Sequence, residues 1–538
     1  MRKSREKYLL YTGMFAALLP VFMMRDFTIS NELRYLSIAD EALRNHSLFA
    51  FTNHGIPYAD KPPLYIWVLM FCRWITGAHH LWLLSLFSFI PALYIVRVMD
   101  GWVKNDSDGE SRALARLMLL TSGLFIVVAV TLRMDMMMCM FIVLALRTFW
   151  RMITESGNQR RDNTLFAVFV FLAIFTKGAL GLLIPLLCTS LYLALSGESR
   201  RILHVWGLRT WGILLALSAI WFGAVYAEGG SGYLQDLVLH QTIGRTINSF
   251  HHNNPFYYYA VCIWYSLAPW SLLIVGVTAA ALRPGFIRSD LQRFFLTTGI
   301  ATMVLLSCVS AKLQIYMLPA VPFLVYGSAM FLPRFHDNRW LRASLAIPAA
   351  MLALSLPALK VASTMTGMAF LNTGMLYAAA TILTMSGLKS LYMLYGKGRH
   401  EPLTDTMRCM GRGIIVAIFM GGWAFTSING ETGYGDLCRK ALEISRKKGI
   451  DDFRTWDMRR AENMDVYLQK GVEIMPHNSV PAAPDSPYIL MTRKRNAARL
   501  HGNEMWNAGP YIIVLMRPGG KTTRQAEHNN EDKAATVG

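Results

Sequence analysis

The chain has 538 residues, of which 54% are hydrophobic and only 16% charged, and its mean hydropathy is +0.32. These values exclude an ordinary soluble domain of this length. The formal net charge of +19 does not indicate a nucleic-acid-binding protein, because the basic residues are spread over short segments between apolar runs. The seven cysteines are scattered and form neither a metal-type pair nor a disulfide framework.

Apolar runs long enough to cross about 30 Å of hydrocarbon recur along the first 430 residues. They predict a polytopic α-helical membrane protein with about thirteen transmembrane helices. The predicted spans are 8–24, 81–98, 114–131, 134–151, 164–177, 178–196, 210–227, 257–282, 293–309, 313–332, 342–360, 371–395 and 411–428. The run 64–77 is too short to span, so we expect an interfacial or re-entrant helix.

The distribution of basic residues predicts the orientation. With the N-terminus inside, every predicted cytoplasmic loop contains arginine or lysine, as the positive-inside rule requires. The segments 97–116, 151–161, 200–209, 283–293, 334–342 and 397–412 then lie on the cytoplasmic side. The first outer loop, 25–80, is expected to contain interfacial helices.

The composition changes near residue 430, and no further span follows. Asp436 to Lys448 has helical spacing, and the apolar runs that begin at Tyr488 and Tyr511 are typical of short strands. The sequence therefore predicts a transmembrane domain over 1–429, a soluble α/β domain over 430–516 on the outer side, and a disordered tail over 517–538.

Charges that interrupt the apolar region lie on the predicted outer side. Asp60 and Lys61 precede two prolines that fix φ and exclude helix at Lys61. The other interruptions are Arg133, Asp135, Lys177 and Lys312. Each of them alone fits a solvated loop charge or a snorkelling anchor, whereas several on one face indicate a site.

A predicted outer loop over 228–256 begins with glycines that permit flexibility and ends near His251 and His252. A loop histidine can be a metal ligand or a proton carrier. A loop histidine more often has neither role, and the presence of two adjacent histidines favours a functional role only slightly more.

Taken together, six motifs in this order resemble the bacterial lipid A aminoarabinose transferases and the related protein O-mannosyltransferases, glycosyltransferases of the GT-C fold. The resemblance covers roughly 8–330. The motifs are Asn31-Glu32-Leu33-Arg34-Tyr35, Tyr58-Ala59-Asp60-Lys61-Pro62-Pro63, Arg133-Met134-Asp135, Thr176-Lys177-Gly178-Ala179-Leu180-Gly181, His252-x-x-Pro255-Phe256-Tyr257-Tyr258-Tyr259 with Pro269-Trp270, and Lys312-Leu313-x-x-Tyr316-x-x-Pro319.

The resemblance implies an inverting enzyme of the bacterial inner membrane with a periplasmic active site. It would move a sugar from a polyprenyl phosphate, such as undecaprenyl phosphate, to lipid A or to protein. The cations expected at the phosphate are Lys61 first, then Arg133, Lys177 or Lys312. Other residues expected to bind substrate are Tyr58 and Arg34, and the expected catalytic residues are Glu32, Asp60 and Asp135, the last orienting a cation or the sugar.

The resemblance also implies a divalent metal, zinc, manganese or magnesium, between Asp60 and His252, with His251 dispensable. One position departs from the family, whose first loop usually carries an Asp just before the Glu. Ser30 and Asn31 occupy those positions here, and Asp26 lies too far upstream to substitute. Glu32 is then either the general base or a structural partner of Arg34 or another cation. A phosphate acceptor needs no base.

Two further functions stay open. A transporter or flippase is the first, although transporters often show internal repeats and none is evident here. An inactive relative that serves as a membrane scaffold is the second, because the family Asp is missing. The sequence does not decide which sugar is moved or whether the acceptor is lipid or protein.

Overall fold

The computed structural model describes residues 2–154, 158–242, 254–335, 339–396, 401–477, 481, 485–500 and 504–518. The predicted tail over 517–538 lies almost entirely outside these residues. The chain divides into two compact units. We call 1–23, 46–51 and 57–423 the helical unit, and 24–45, 52–56 and 424–538 the mixed unit.

The helical unit is built from α-helices joined by short turns. Its α-helices are Arg2–Met24, Leu64–Thr76, Leu81–Trp102, Gly109–Thr121, Gly123–Val130, Asp135–Thr154, Gln159–Lys177, Leu180–Leu195, Arg200–Val205, Leu208–Thr242, Tyr258–Ser266, Ser271–Ala281, Asp290–Cys308, Val321–Ala329, Arg339–Ala353, Ser355–Thr366, Gly374–Tyr395 and Pro402–Gly422. Short 3₁₀ helices cover Gln314–Ala320, Leu332–Arg334 and Ala369–Asn372.

Within the described residues, six helices are long and apolar enough to cross a membrane, or up to nine if each bent pair forms one span. The predicted total of about thirteen is not confirmed. One reason is that predicted spans are broken. The run 257–282 forms two helices that separate before Pro269, whose ring nitrogen carries no hydrogen to donate. The run 114–131 forms two helices that meet at a 59° bend.

The expected loop over 228–256 is wrong in its first half. The helix Leu208–Thr242 continues through this stretch and changes direction at Gly230, where φ is 73°. Glycine adopts this left-handed conformation without a steric penalty, so it permits a kink instead of a loop. Residues 243–253, including His251 and His252, lie outside the described residues.

The mixed unit joins part of the first loop to the C-terminal residues. Its α-helices are Glu32–Asn45, Phe425–Thr432, Gly435–Lys448 and Asp465–Leu468, with 3₁₀ helices at Ala461–Met464 and Lys494–Arg499. The strands Thr52–Asn53 and Ile56–Pro57 form a small hairpin. The predicted helix and both predicted strands near the C-terminus are confirmed.

The larger sheet of the mixed unit has five strands. In spatial order they are Glu473–Ile474, Phe453–Trp456, Tyr488–Arg493, Tyr511–Met516 and Glu504–Ala508. The first three are mutually parallel and the last two pairings are antiparallel. Trp456, Tyr488 and Leu490 are among the side chains of its hydrophobic core.

Asp26 connects the two parts of the mixed unit. Its carboxylate accepts a hydrogen bond from the Tyr467 hydroxyl and from the backbone N–H groups of Phe27 and Gly435. Burial raises the pKa of Asp26, and these hydrogen bonds only partly oppose that effect. Asp26 therefore has a structural role in this unit, consistent with its position outside the family motif.

Candidate functional site

Asp60 and Lys61 form an ion pair in a turn of the helical unit. The Lys61 ammonium lies 2.5 Å from the Asp60 carboxylate, and the Tyr58 hydroxyl donates to the same oxygen over 3.4 Å. The Lys61 side chain is 12% exposed and that of Asp60 is 41% exposed. The helix Leu64–Thr76 begins directly after Pro63, so the two prolines hold this pair, which we call the Lys61 turn, at a helix start.

The kinked helix Leu208–Thr242 anchors the Lys61 turn. The Tyr233 hydroxyl accepts from the Phe51 N–H over 3.0 Å and donates to the Tyr58 carbonyl over 2.8 Å. Before the Gly230 kink, the Glu228 carboxylate accepts the N–H groups of Phe49 and Ala50 at 3.0 and 2.9 Å. The sequence prediction missed Glu228 and Tyr233 because it placed them in a flexible loop.

A second group of side chains is centred on the buried carboxylate of Asp135. We call it the charged cluster: it comprises Arg133, Asp135, Lys177 and the ring of Tyr316. Asp135 is 1% exposed; the Lys177 ammonium donates to one of its oxygens, and Arg133 Nε donates to the other over 3.1 Å. Asp135 begins its helix and Lys177 ends its own. Each charge therefore has the sign that the helix dipole favours at that end.

The Lys177 ammonium also lies over the Tyr316 ring, 4.5 Å from its centroid. Tyr316 belongs to the 3₁₀ segment that follows Lys312. Lys312 is 5% exposed, and its carbonyl accepts from the Asn254 side chain over 3.1 Å. In the described part of the chain, no carboxylate forms an ion pair with the Lys312 ammonium.

One ring contact connects the helix that follows the Lys61 turn with the helix that ends at Lys177 of the charged cluster. Trp67, on the helix that the turn begins, lies with its ring centroid 5.3 Å from that of Phe175, two residues before Lys177. The helical unit contains all of Tyr58, Asp60, Lys61, Arg133, Asp135, Lys177 and Lys312. Among them are four cations and two carboxylates, a balance that suits an anionic ligand.

Glu32 and Arg34 belong to the mixed unit. Glu32 is 1% exposed, and its two oxygens accept from Arg25 at 2.6 and 2.9 Å and from the Thr28 N–H at 2.7 Å. Arg25 is therefore a cation paired with Glu32. The Arg34 guanidinium donates to the Asn31 side chain over 3.2 Å. This arrangement matches the structural alternative for Glu32.

Of the two predicted metal ligands, Asp60 and His252, the structure describes only Asp60. The exposed Asp60 carboxylate could coordinate a cation, but His252 lies outside the described residues. Among the residues that the structure describes, no three histidine, cysteine, aspartate or glutamate side chains are arranged to hold a metal ion. A metal at Asp60 stays a prediction.

The fold is that of the GT-C glycosyltransferases. No family model matches the chain, but the crystal structure of ArnT from Cupriavidus metallidurans bound to undecaprenyl phosphate superposes with a TM-score of 0.74. The two chains are 16% identical over 94% of this chain and 97% of that one. The apo structure of the same protein gives a TM-score of 0.73.

Among curated proteins, the chain is similar to the undecaprenyl phosphate-alpha-4-amino-4-deoxy-L-arabinose arabinosyl transferases of Shewanella sediminis and Edwardsiella ictaluri. They are 22% and 24% identical over 323 and 304 residues, 59% and 54% of this chain. The matches span only 58% and 52% of those proteins' own length. The resemblance inferred from the sequence motifs is confirmed.

Proposed function

We propose that the chain is a membrane-embedded glycosyltransferase that takes a sugar from a polyprenyl phosphate and passes it to an acceptor outside the cytoplasmic membrane. The observation that supports this most is the charged cluster, in which two cations share the buried Asp135 carboxylate at the ends of apolar helices. The names of the relatives, which specify undecaprenyl phosphate, point to the same donor.

The cations have different tasks in this proposal. Lys312 has no carboxylate partner among the described residues, and Lys61 is paired with a carboxylate that is 41% exposed. Both can therefore turn to the donor phosphate. Arg133 and Lys177 are held by the buried Asp135 and add positive potential, and Lys177 also packs on the Tyr316 ring. In a site with little water, such charges act more strongly than in solution.

The transfer itself is a displacement at the anomeric carbon. An acceptor oxygen forms the new bond to this carbon while the bond to the phosphate oxygen breaks, and the phosphate leaves with the electron pair. Attack from the opposite face inverts the configuration. Lys61 and Lys312 stabilise the negative charge that develops on the leaving phosphate. A divalent metal held by Asp60 and His252 would supply further neutralisation.

The contacts of Glu32 favour an acceptor that is already ionised. A hydroxyl acceptor must give its proton to a base, whereas a phosphate acceptor has none to lose at neutral pH. Because Glu32 accepts from Arg25 and from the Thr28 N–H, its lone pairs are engaged. We therefore propose the lipid A phosphate as acceptor, ahead of a protein serine or threonine.

The experiment is transfer in proteoliposomes. Purified protein would be mixed with an undecaprenyl-phosphate sugar and either lipid A or a serine-rich peptide, and products would be read by mass spectrometry. We expect sugar on lipid A, and loss of this product in the Lys61→Ala, Lys312→Ala double variant. Arg283→Gln, on the predicted cytoplasmic side, is the matched control. Transport of a soluble metabolite without any transfer product would instead support the transporter alternative.

The orientation is proposed with the function: N-terminus in the cytoplasm, mixed unit in the periplasm of a bacterial inner membrane. Periplasmic reporters fused after residue 435 should be active, and those fused after residue 399 inactive. The reverse pattern would place the Lys61 turn on the cytoplasmic side and contradict the proposal.

A further inference from the structure

We propose that the helical unit binds an anionic glycerophospholipid in a groove that shares no lining residue with the charged cluster. This arginine groove has a volume of about 380 Å³ and lies between the helices Arg2–Met24, Gly109–Thr121 and Pro402–Gly422. Its size falls in the range of ligand pockets, roughly 300–1,000 Å³. The inference rests on the proposed membrane location but not on the transferase activity.

The charge at the groove is positive. Arg408 and Arg412 are four residues apart, so both lie on one face of their helix and line the groove. Arg408 is 3.3 Å from Glu110. Arg412 is exposed, and the described residues provide no ion-pair partner for it. Glu6 is the one carboxylate among the described lining residues.

A buried ion cluster beside the groove adds to this potential. Asp100, with its side chain 2% exposed, accepts from Lys7, Arg112 and Arg116. Three cations thus share one carboxylate, and Arg116 also lines the groove. Because little water is present to screen this excess of positive charge, the groove attracts an anion.

The rest of the groove suits acyl chains. Val416 lies four residues, about 6 Å along the helix axis, beyond Arg412, and Leu9, Leu10 and Leu117 line the same space. Gly13 keeps it open, since a Cβ added there would meet no atom within 4 Å. Arginines at one end and apolar side chains at the other match a phosphate headgroup with its chains.

The position favours a phospholipid over the donor carrier. The groove is lined by residues 113–117 of the helix Gly109–Thr121, whereas the bent continuation of that helix, Gly123–Val130, leads to Arg133 of the charged cluster. Its arginines lie in predicted cytoplasmic loops. Basic pockets between helices on the cytoplasmic side are known binding places for anionic lipid headgroups.

The test is native mass spectrometry of the full chain in detergent with phosphatidylglycerol, cardiolipin or phosphatidylethanolamine added. We expect the two anionic lipids to stay bound at several-fold higher occupancy than phosphatidylethanolamine. The Arg408→Gln, Arg412→Gln double variant should reduce this preference at least tenfold. Gly13→Phe should lower the occupancy of all lipids by filling the groove while both arginines remain.

Two matched controls separate groove binding from general effects. Arg283→Gln removes an exposed arginine elsewhere on the predicted cytoplasmic side. Gly212→Phe introduces the same ring at a glycine that does not line the arginine groove and where a Cβ also meets no atom within 4 Å. Both should retain the lipid preference. Size-exclusion profiles and melting temperatures show whether each variant is folded.

Several results would overturn the proposal. Equal occupancy by anionic and zwitterionic lipids, or an unchanged preference in both groove variants, would exclude an anionic phospholipid site. Displacement of phosphatidylglycerol by undecaprenyl phosphate would assign the groove to the carrier, and a dimer lost in Gly13→Phe would assign it to a second copy. If lipid binding fails while Lys61-dependent transfer persists, the lipid-groove inference is wrong and the proposed transferase function is unaffected.

Discussion

Replacement of Asp135 by asparagine tests the charged cluster most directly. The change keeps the shape of the side chain but removes the negative charge that Lys177 and Arg133 share. The side chains of these two cations are 4% and 24% exposed. Breaking a buried ion pair costs about 3–5 kcal/mol, because the remaining charge stays desolvated. We expect the free energy of unfolding to fall by about that amount.

A double-mutant cycle isolates the interaction. If Lys177→Met is added to Asp135→Asn, one uncompensated cation is removed, so the double variant should be more stable than the sum of the two single changes by about 2–3 kcal/mol. The control is Asp290→Asn, whose partner Arg293 is 3.4 Å away in a pair that is 43% and 71% exposed. Exposed ion pairs contribute about 0–1 kcal/mol to the free energy of unfolding, so this control variant should lose no more than that.

The assay is reversible denaturant unfolding in mixed micelles, followed by tryptophan fluorescence. A loss for Asp135→Asn no larger than that for Asp290→Asn would refute the reasoning. So would strict additivity in the cycle, because it would mean that Asp135 and Lys177 do not interact in the folded state.

The remaining predictions concern the carrier, the base, the metal and pH. Lys61→Ala should weaken binding of polyprenyl phosphate by about 2–5 kcal/mol if the site is desolvated, as measured by ligand-induced thermal stabilisation; unchanged affinity would contradict the role. Glu32→Gln should leave transfer to lipid A near the wild-type rate, whereas collapse of transfer with carrier binding intact would identify Glu32 as the base. If a metal is shared, Asp60→Asn and His252→Ala should each reduce the metal content measured by mass spectrometry, and full metal content in both would exclude the pair. Burial raises the pKa of Glu41, but hydrogen bonds from the hairpin lower it more, so it lies below its ordinary value of 4.5. The unfolded state then binds more protons, so the stabilisation is present above about pH 4.5 and is lost as pH falls. Glu41→Gln should therefore flatten the acid side of the melting temperature profile, and an unchanged profile would show that Glu41 does not contribute.

Local patterns predicted the helices and strands well where a single segment determines its own structure. The helix near Asp436, the strands at Tyr488 and Tyr511, and the short helix after Pro63 all follow from spacing and from turn residues. The break before Pro269 and the kink at Gly230 also have local causes. Their outcome could not be predicted, because neighbouring helices decide whether proline or glycine ends a helix or bends it.

The candidate site was predictable in its residue types but not in its pairings. The sequence indicated that Asp135 and Lys177 lie on the same side of the membrane, and the structure adds that they share one buried ion pair. The partner of Glu32 was not predictable, since Arg34 and Arg25 are both near it in the sequence. The folded geometry identifies Arg25, seven residues before Glu32, as a partner.

The link between Asp26 and Tyr467 has a consequence for biosynthesis. The two residues are 441 positions apart, and ribosomes add about 5–20 residues per second. The helix Glu32–Asn45 must therefore wait on the order of 20–90 s after its own synthesis before the residues that complete its unit exist. Throughout this interval, the helical unit is being synthesised while an early segment lacks its fold. In the proposed orientation, that segment is then a target for periplasmic proteases and chaperones. Slowed elongation near the C-terminus should therefore reduce the yield of intact protein more than slowing near the N-terminus.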